Sequence, residues 1–145
     1  MKFFIFSIIL SFCAPLFSEN IPPGAFSITR VHYGGGGDWY SDPGSLPNLL
    51  EYLSDHTNIS VNPLEQRAKI GDDVFKRSSY LYLTGNGNIK FTDEEAQLLR
   101  DQLLAGVFLH ADDNFGMDKS FRREMKKVFP EKDWVELPLD HPIFN

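Results

Sequence analysis

Apolar and polar residues alternate along this chain in blocks that predict strands and helices in turn. Residues 25–33 are rich in side chains favoured in strands, and residues 80–83 and 107–111 are compact apolar runs. Continuous apolar runs are typical of parallel strands, because helices cover both faces of a parallel sheet. Residues 59–61 and 134–137 predict two further short strands.

Three other segments carry apolar residues at helical spacing. Leucines predict a helix over residues 46–56 with Ser45 as its N-cap. Thr92 and Glu95 have the spacing of a capping box, which predicts the start of a second helix. A third helix is expected to follow Asp118, which is assigned as its N-cap.

The alternation of strands and helices predicts an α/β fold. Right-handed βαβ units would give a mostly parallel sheet with helices on both faces, that is, a three-layer sandwich. The chain of 145 residues suits a single domain, placed here at residues 19–145. Residues 63–78 fit neither pattern. Ligands bind beyond the carboxyl ends of the strands in such sheets, so a site is expected in the loops that follow them.

The N-terminus has the pattern of a secretory signal peptide. Met1-Lys2 precedes an apolar stretch that ends at Phe17. This stretch is shorter than the roughly 20 residues of a membrane-spanning helix. Residues 1–18 are therefore interpreted as a signal peptide of a periplasmic or secreted protein. The alternative is that this segment is not cleaved and anchors the protein to the membrane, which would then be the only membrane contact expected. Cys13 is the only cysteine, so cleavage leaves neither a disulfide nor a thiol nucleophile.

The charge distribution argues against nucleic acid as a partner. The formal net charge is -6, and no basic stripe is available to neutralise phosphates. One basic cluster lies on the third predicted helix and is interrupted by Glu124; it is typical of a solvated helix face. Its members are Arg122, Arg123, Lys126 and Lys127. The expected partners are instead a small ligand or an envelope protein.

Three polar loops follow the predicted strands and supply the candidate ligand-binding residues. These candidates are Asp38 and Trp39, then Thr84, Gly85, Asn86 and Gly87, then Asp112, Asp113 and Asn114. Flexible glycines beside aromatic side chains suit stacking on a carbohydrate or peptide. The alternative is a mobile loop whose Trp39 packs on the core. Residues 84–88 could bring backbone N–H groups to an anion, or could form only a glycine turn at a strand end.

Carboxylates and imidazoles near the strand ends also suit a divalent metal or general acid-base chemistry. The candidate metal ligands are His110, Asp112, Asp113 and Asp38. Neighbouring strand residues point to opposite faces, so only one of Asp112 and Asp113 is expected to enter a cleft. The alternative is that this pair caps the loop and pairs with Arg122 or Arg123. No spacing matches a dedicated metal motif, and no cofactor is assigned.

Several spaced motifs resemble one known family. They are GGGDWY at 35–40 with LPNLL at 46–50; LYLTGNG at 81–87; FLHADDN at 108–114; FRREM at 121–125; and DHPIF at 140–144. Together they are similar to the bacterial domain of unknown function 4159 family over residues 25–145. The resemblance implies the class I glutamine-amidotransferase-like superfamily and its flavodoxin-like sandwich. The family has no established activity, so the resemblance implies a fold and no mechanism.

This chain departs from the family pattern at two positions. The resemblance implies a histidine where Asn86 stands and a second glycine where Val107 stands. It also implies that the fold continues beyond residue 145, so C-terminal truncation of the fold is expected. A glutamine amidotransferase needs a cysteine activated by a histidine. Because no cysteine follows residue 13, glutaminase chemistry is excluded.

The sequence leaves three functions open. The leading hypothesis is an exported binding module that holds a small polar or sugar-like ligand among Asp38, Asn86 and Asp112. The second is a metal-assisted hydrolase that uses aspartate and histidine at the strand ends. The third is a structural interaction domain of an envelope complex. Whether the protein is an enzyme stays undecided at this stage.

Overall fold

The computed structural model describes residues 24–144, so the predicted signal peptide with Cys13 lies outside the described residues. Strands and helices alternate strictly along this part of the chain. They are β1 (Thr29–His32), α1 (Ser45–His56), β2 (Gln66–Lys69), α2 (Asp73–Arg77), β3 (Tyr80–Asn86), α3 (Asp93–Leu104), β4 (Phe108–Phe115) and α4 (Asp118–Val128), followed by a short 3₁₀ helix (Pro142–Phe144). Within residues 24–144, no helix has both the length and the apolar content needed to cross a membrane.

The four described strands form one parallel sheet in the order β2-β1-β3-β4. The chain moves outward from β1 to β2, then returns past β1 to β3 and continues to β4. Right-handed crossovers therefore place α1 on one face and the other three helices on the opposite face. We call these faces the α1 side and the three-helix side. The predicted fold class, a three-layer flavodoxin-like α/β sandwich, is confirmed.

The three-helix side contains the larger apolar core. Leu81 and Leu83 of β3 point to this side and pack with Phe75 of α2, Leu99 of α3 and Val128 of α4. All five of these side chains are buried. The helix that contributes Leu99 begins at the predicted capping box, in which Thr92 accepts from the backbone N–H of Glu95. The sequence therefore determines both where this helix starts and which face it buries.

The α1 side has a smaller apolar cluster with a charged residue beside it. Leu46 and Leu50 of α1 pack on Ile28 and Tyr82. Next to them, the side chain of Arg30 is completely buried in the middle of β1. A sheet face that buries a guanidinium must supply hydrogen-bond partners for it, because an unpaired buried charge is strongly destabilising.

The structure corrects two of the predicted strands. Residues 59–61 contribute only a single bridge, between Phe26 and Val61, and the second strand is instead β2, in the segment that fitted neither pattern. Strand β2 escaped prediction because it is polar, with only Ala68 buried. Residues 134–137 form no strand, since Trp134 packs on α4 against the ring of Phe121 at 5.6 Å.

Two predicted N-caps also differ from the structure. Gly44 occupies the N-cap of α1, and the hydroxyl of Ser45 donates to the carbonyl of Asp42 rather than capping the helix. Met117 occupies the N-cap of α4, whose first residue is Asp118. Both helices begin within one residue of the predicted position, but through different contacts.

Candidate functional site

The loop between β1 and α1 lies along the loop between β3 and α3 at the carboxyl end of the sheet. Its four consecutive glycines, Gly34–Gly37, are here called the glycine strap. The backbone N–H of Lys90 donates to the carbonyl of Gly34 at 2.9 Å, and Gly37 donates to the carbonyl of Asn88 at 2.9 Å. The side-chain amide of Asn88 adds a bond to the carbonyl of Gly35 at 2.9 Å. The two loops are therefore joined by backbone pairing.

Glycine is required in the strap because the two backbones approach so closely. A Cβ on Gly35 would lie 2.6 Å from the backbone nitrogen of Lys90, and its φ of +106° also disfavours other residues. A Cβ on Gly37 would lie 2.8 Å from the carbonyl oxygen of Asn88. The strap is thus a fitted contact between loops, which neither interpretation of the glycines from the sequence had described.

Trp39 follows the strap and packs on the apolar core as a partly buried side chain. Its ring stacks on the imidazole of His32 with centroids 4.1 Å apart. Tyr40 meets the same indole edge to face at 5.6 Å and is exposed. One face of the indole is therefore occupied by His32. This arrangement agrees with the alternative in which Trp39 packs on the core instead of stacking on a ligand.

Asp38 and Asn86 bind each other across the two loops. The carboxylate of Asp38 accepts hydrogen bonds from the backbone N–H of Asn86 and from its side-chain amide, the latter at 2.9 Å. These bonds from Asn86 lower the pKa of Asp38 below its usual value. Asp38 and Asn86 do converge, but much of their hydrogen-bonding capacity is used to hold the loops together.

Gly85 and Tyr33 fill the space beneath this pair. Gly85 has a φ of +141°, and a Cβ there would meet the Tyr33 hydroxyl and the backbone of Asp38. The hydroxyl of Tyr33 donates to the carbonyl of Thr84 at 3.0 Å. Burial, and then the charge of Asp38, raise the pKa of Tyr33 to about 12. Tyr33 thus stays neutral at physiological pH and acts as a donor.

A second group of polar side chains lies on the α1 side, where β3 and β4 end. Asn114 is its centre, and we call the group the Asn114 network. The amide of Asn114 donates to the hydroxyl of Ser41 at 2.9 Å and to the carboxylate of Asp42. Its carbonyl accepts from the hydroxyl of Thr84 at 3.4 Å. The network joins three segments that are distant in sequence.

Asp112 and Asp113 point to opposite faces of the sheet, as the strand geometry predicts. On the α1 side, Asp112 is exposed and accepts a hydrogen bond from the Tyr82 hydroxyl at 3.0 Å. On the three-helix side, Asp113 accepts from the backbone N–H groups of Met117 at 2.8 Å and Asp118 at 3.0 Å. Asp113 therefore caps the start of α4, and Asp112 alone of the pair belongs to the α1 side.

The basic cluster of α4 does not neutralise either of these aspartates. Arg122 pairs with Asp118 at 2.6 Å, and Arg123 pairs with Glu124 at 2.7 Å. The alternative predicted that Asp112 or Asp113 caps the loop and pairs with Arg122 or Arg123. The predicted pairing is wrong. A cap is present, and it is formed by Asp113.

Gly87 and His110 complete the predicted set. The N–H of Gly87 donates to the carbonyl of Phe115 at 3.1 Å, which closes the turn after β3 onto β4. A hydrogen bond of 3.0 Å joins Nδ1 of His110 to the hydroxyl of Tyr80. The imidazole also meets the Tyr82 ring edge to face, with centroids 5.2 Å apart, and His110 is exposed.

The geometry gives no support to the predicted metal set. Asp112 and Asp113 face opposite sides of the sheet, and Asp38 is bound to Asn86. Across residues 24–144, no three His, Cys, Asp or Glu side chains lie close enough together to hold a metal ion.

The sequence interpretation missed Arg30, and with it Ser41 and Asp42, which Arg30 and Asn114 bind. Its guanidinium forms an ion pair of 2.9 Å with Glu65 and lies 5.5 Å from the centroid of the Tyr82 ring. It also donates to the carbonyls of Ser41 at 2.9 Å and Asp42 at 3.3 Å. These bonds hold Asp42 at a φ of +50°, an uncommon conformation for a residue with a side chain. A lone arginine inside the apolar segment 25–33 was the available signal.

This parallel sheet, with helices on both of its faces, defines a doubly wound α/β protein. The chain belongs to the family described as domain of unknown function (DUF4159), which it matches over residues 27–145. Membership in the family that the motifs predicted is confirmed. No curated protein matches the chain.

Proposed function

We propose that the protein is an exported binding module for a small, hydroxyl-rich ligand such as a sugar. Its site is the α1-side surface at the carboxyl ends of β3 and β4. One observation carries the proposal: α1 buries Tyr82 in the middle of the sheet, but no element within residues 24–144 covers Asp112 and Asn114 of β4 on this side, and both are exposed. Parallel strands are normally covered on both faces, and polar groups left open there are available to a ligand.

The exposed groups have the chemistry that hydroxyl recognition requires. An ionised carboxylate accepts several hydrogen bonds, and a primary amide both donates and accepts. Among the described residues, Asp112 has Tyr82 as its one hydrogen-bond partner, which leaves the second carboxylate oxygen available. The rings of Tyr80 and Phe108, with centroids 5.2 Å apart, lie farther along the same surface. Aromatic faces of this kind suit the apolar face of a sugar ring.

The structure changes which predicted residues are proposed to touch the ligand. Asp112 and Asn114 remain in the proposed site, and Ser41 and Asp42 join them through the Asn114 network. Thr84 is buried and is assigned instead to holding the carbonyl of Asn114 in place. Asp38, Gly85, Asn86 and Gly87 are assigned to holding the loops, Asp113 to capping α4, and Trp39 to packing.

The proposal retains an amidotransferase-like scaffold without its chemistry. The sequence supplies no cysteine after residue 13, so the thiol on which glutamine hydrolysis depends is missing. Export rests on the apolar stretch that ends at Phe17. Purification of the protein from the periplasm of an expressing bacterium, followed by intact-mass measurement, tests it. We expect a mature chain that begins at Glu19; a cytoplasmic product of full length contradicts export.

Ligand binding is tested on the same protein with a panel of common monosaccharides and disaccharides at millimolar concentration. We expect at least one sugar to raise the midpoint of thermal unfolding and to give a calorimetric isotherm. Asp112→Asn should weaken that binding at least tenfold, because it removes a charged acceptor. Asp55→Asn, at an exposed position of α1, is the matched control and should bind like the wild type. No stabilisation by any sugar, or equal binding by both variants, overturns the proposal.

A further inference from the structure

Asn86 is followed by Gly87, and this is the one Asn-Gly pair in the chain. In such a pair the backbone nitrogen of the glycine can attack the side-chain carbonyl carbon of the asparagine, because glycine has no Cβ to obstruct the approach. The pair lies where β3 ends, and Gly87 is exposed to water. Among the described residues, no atom lies within 4 Å of the position that a Cβ on Gly87 would take. Both the sequence and the location therefore favour a chemical reaction at Asn86.

This reaction has two steps and needs no reagent except water. In the first step, the nitrogen of Gly87 forms a bond to Cγ of Asn86 and loses its proton, while the side-chain nitrogen leaves as ammonia. The product is a cyclic succinimide. In the second step, water adds to one of the two carbonyl carbons of the ring and breaks the bond from that carbon to the nitrogen. Aspartate or isoaspartate then stands at position 86, and no group has been oxidised or reduced.

Two contacts in the folded protein oppose the first step. The amide nitrogen that must leave donates to Oδ2 of Asp38 at 2.9 Å, and the backbone N–H of Asn86 donates to the other oxygen of the same carboxylate. The N–H that must lose its proton, that of Gly87, donates to the carbonyl of Phe115 at 3.1 Å. Because the bonds from Asn86 lower the pKa of Asp38, this carboxylate is ionised at neutral pH and its hydrogen bonds are charge-assisted.

We propose that Asn86 is a site of spontaneous conversion to aspartate or isoaspartate, and that Asp38 keeps this conversion slow while the two loops stay joined. The side chain of Asn86 must leave Asp38 and turn toward Gly87 before it can react. Local openings that part the loops therefore set the rate of conversion. This proposal is independent of sugar binding, since it depends only on the contacts between the two loops.

Conversion is expected to part the loops permanently. It places a second carboxylate against that of Asp38 and removes the amide that donates to it, and like charges at this distance repel each other. Isoaspartate also adds a methylene to the backbone before Gly87, which shifts the N–H of Gly87 away from β4. The loop that contains the glycine strap also carries Ser41, so conversion disturbs the Asn114 network as well.

The protection is measured by incubating the purified protein at neutral pH and body temperature and mapping its tryptic peptides by mass spectrometry. The peptide of residues 78–90 contains Asn86 and also Asn88, which is an internal control because the bulky Ile89 follows it. A synthetic copy of this peptide gives the unprotected rate. We expect Asn86 to convert at least roughly tenfold more slowly in the folded protein, the effect of one charge-assisted hydrogen bond that must break. A protein that converts as fast as the peptide overturns the proposal.

The role of Asp38 is tested by Asp38→Ala, which should convert Asn86 roughly tenfold faster than the wild type. Asp42→Ala is the matched control, because it removes a carboxylate that holds the amide of Asn114, an asparagine followed by Phe115. It should leave Asn86 slow and Asn114 unmodified.

Asp38→Asn is the milder variant, and it decides the outcome if Asp38→Ala does not fold. It keeps an acceptor but loses the charge, so its rate should lie between those of the wild type and the peptide. Equal rates in the wild type and Asp38→Asn overturn the proposal. Equal acceleration of Asn86 by Asp42→Ala also overturns it, because the protection would then belong to the fold in general and not to Asp38.

The consequence of conversion is tested with Asn86→Asp, which reproduces one product. Asn86→Ala is its control, because it removes the same amide without adding a charge. At neutral pH, Asn86→Asp should unfold at a lower temperature than Asn86→Ala, since only the former places two carboxylates together. A midpoint of Asn86→Asp at or above that of Asn86→Ala would show that conversion does not part the loops, and it would overturn this half of the proposal.

Discussion

The two sides of the sheet are built on different physical principles. On the three-helix side, Phe75, Leu83 and their neighbours are excluded from water and gain stability through apolar burial. On the α1 side, Arg30 occupies the equivalent depth and is held by an ion pair and hydrogen bonds to carbonyls. The comparison indicates that the three-helix side is held by its larger apolar core, while the α1 side combines a smaller apolar core with a buried charge that fixes the positions of polar groups.

On the three-helix side, a buried polar residue, Glu124, holds a loop to a helix. Burial tends to raise the pKa of Glu124, but hydrogen bonds from Lys127, the N–H of Phe91 and Arg123 lower it overall. The carboxylate therefore remains charged and ties the loop before α3 to α4. Polar burial here supports one connection, whereas on the α1 side Arg30 orders an entire loop.

The largest effect is expected from Phe75→Ala on the three-helix side. Removing a ring that is 0% exposed should lower the free energy of unfolding by about 3–5 kcal/mol, because a cavity remains. Urea denaturation followed by circular dichroism measures this loss. Phe108→Ala, at a half-exposed ring on the other side, should cost less than about 1.5 kcal/mol. Equal losses in the two variants would contradict the distinction between the sides.

Arg30→Ala should be the next most damaging change, at about 3 kcal/mol, since it leaves the carboxylate of Glu65 buried without its main partner. Arg67, which also contacts Glu65, keeps the loss from being larger. The same denaturation experiment on Arg30→Met with Glu65→Leu should recover most of the stability. The double variant should nevertheless lose ligand affinity, because Ser41 and Asp42 lose their hydrogen bonds from Arg30. Retained affinity would show that Arg30 does not position that loop.

A smaller loss, about 1 kcal/mol, is expected from Thr92→Ala at the start of α3. The variant removes the side chain that accepts from Glu95 in the capping box. Thermal unfolding measures this loss. Thr57→Ala is the comparison, because Thr57 follows the end of α1 and its hydroxyl binds the carbonyl of Leu53 rather than capping a helix N-terminus. A loss as large as that of Phe75→Ala would mean that the cap stabilises more than its own helix.

The smallest effect at neutral pH is expected from Asp38→Asn, because an amide can still accept from the backbone of Asn86. Its signature is a pH dependence. The pKa of Asp38 is lowered in the folded protein, so its contribution is present above about pH 4 and is lost as pH falls through the folded pKa. Wild type should thus exceed the variant in unfolding midpoint at pH 6, and the gap should shrink progressively as the pH falls below about 4. A gap independent of pH would contradict this role.

The sequence alone predicted those strands and helices that carry a strong local pattern. The apolar run at residues 80–83 and the capping box at Thr92 each determine an element without help from distant residues. Strand β2 lacked such a signal because only Ala68 of its four residues is buried. Residues 134–137 carried a misleading signal: their apolar side chains predict a strand, but Trp134 packs on Phe121 of α4.

The candidate site was predictable only in part. The opposite orientations of Asp112 and Asp113 follow from strand geometry alone. The partners of Asp38 and Asn114 do not, because both bonds join segments more than 40 residues apart in the chain. Arg30 was overlooked because a buried cation is distinguished from a surface one only by its neighbours.

The glycine strap has a consequence for protein engineering. The backbone of Gly35 leaves no room for a side chain against Lys90. The loop between β1 and α1 and the loop between β3 and α3 therefore form a matched pair. Grafting either loop alone from a relative would bring mismatched surfaces together, whereas grafting both would carry the fit with them. Libraries that diversify this end of the molecule should therefore vary residues 34–44 and 86–91 as a single cassette.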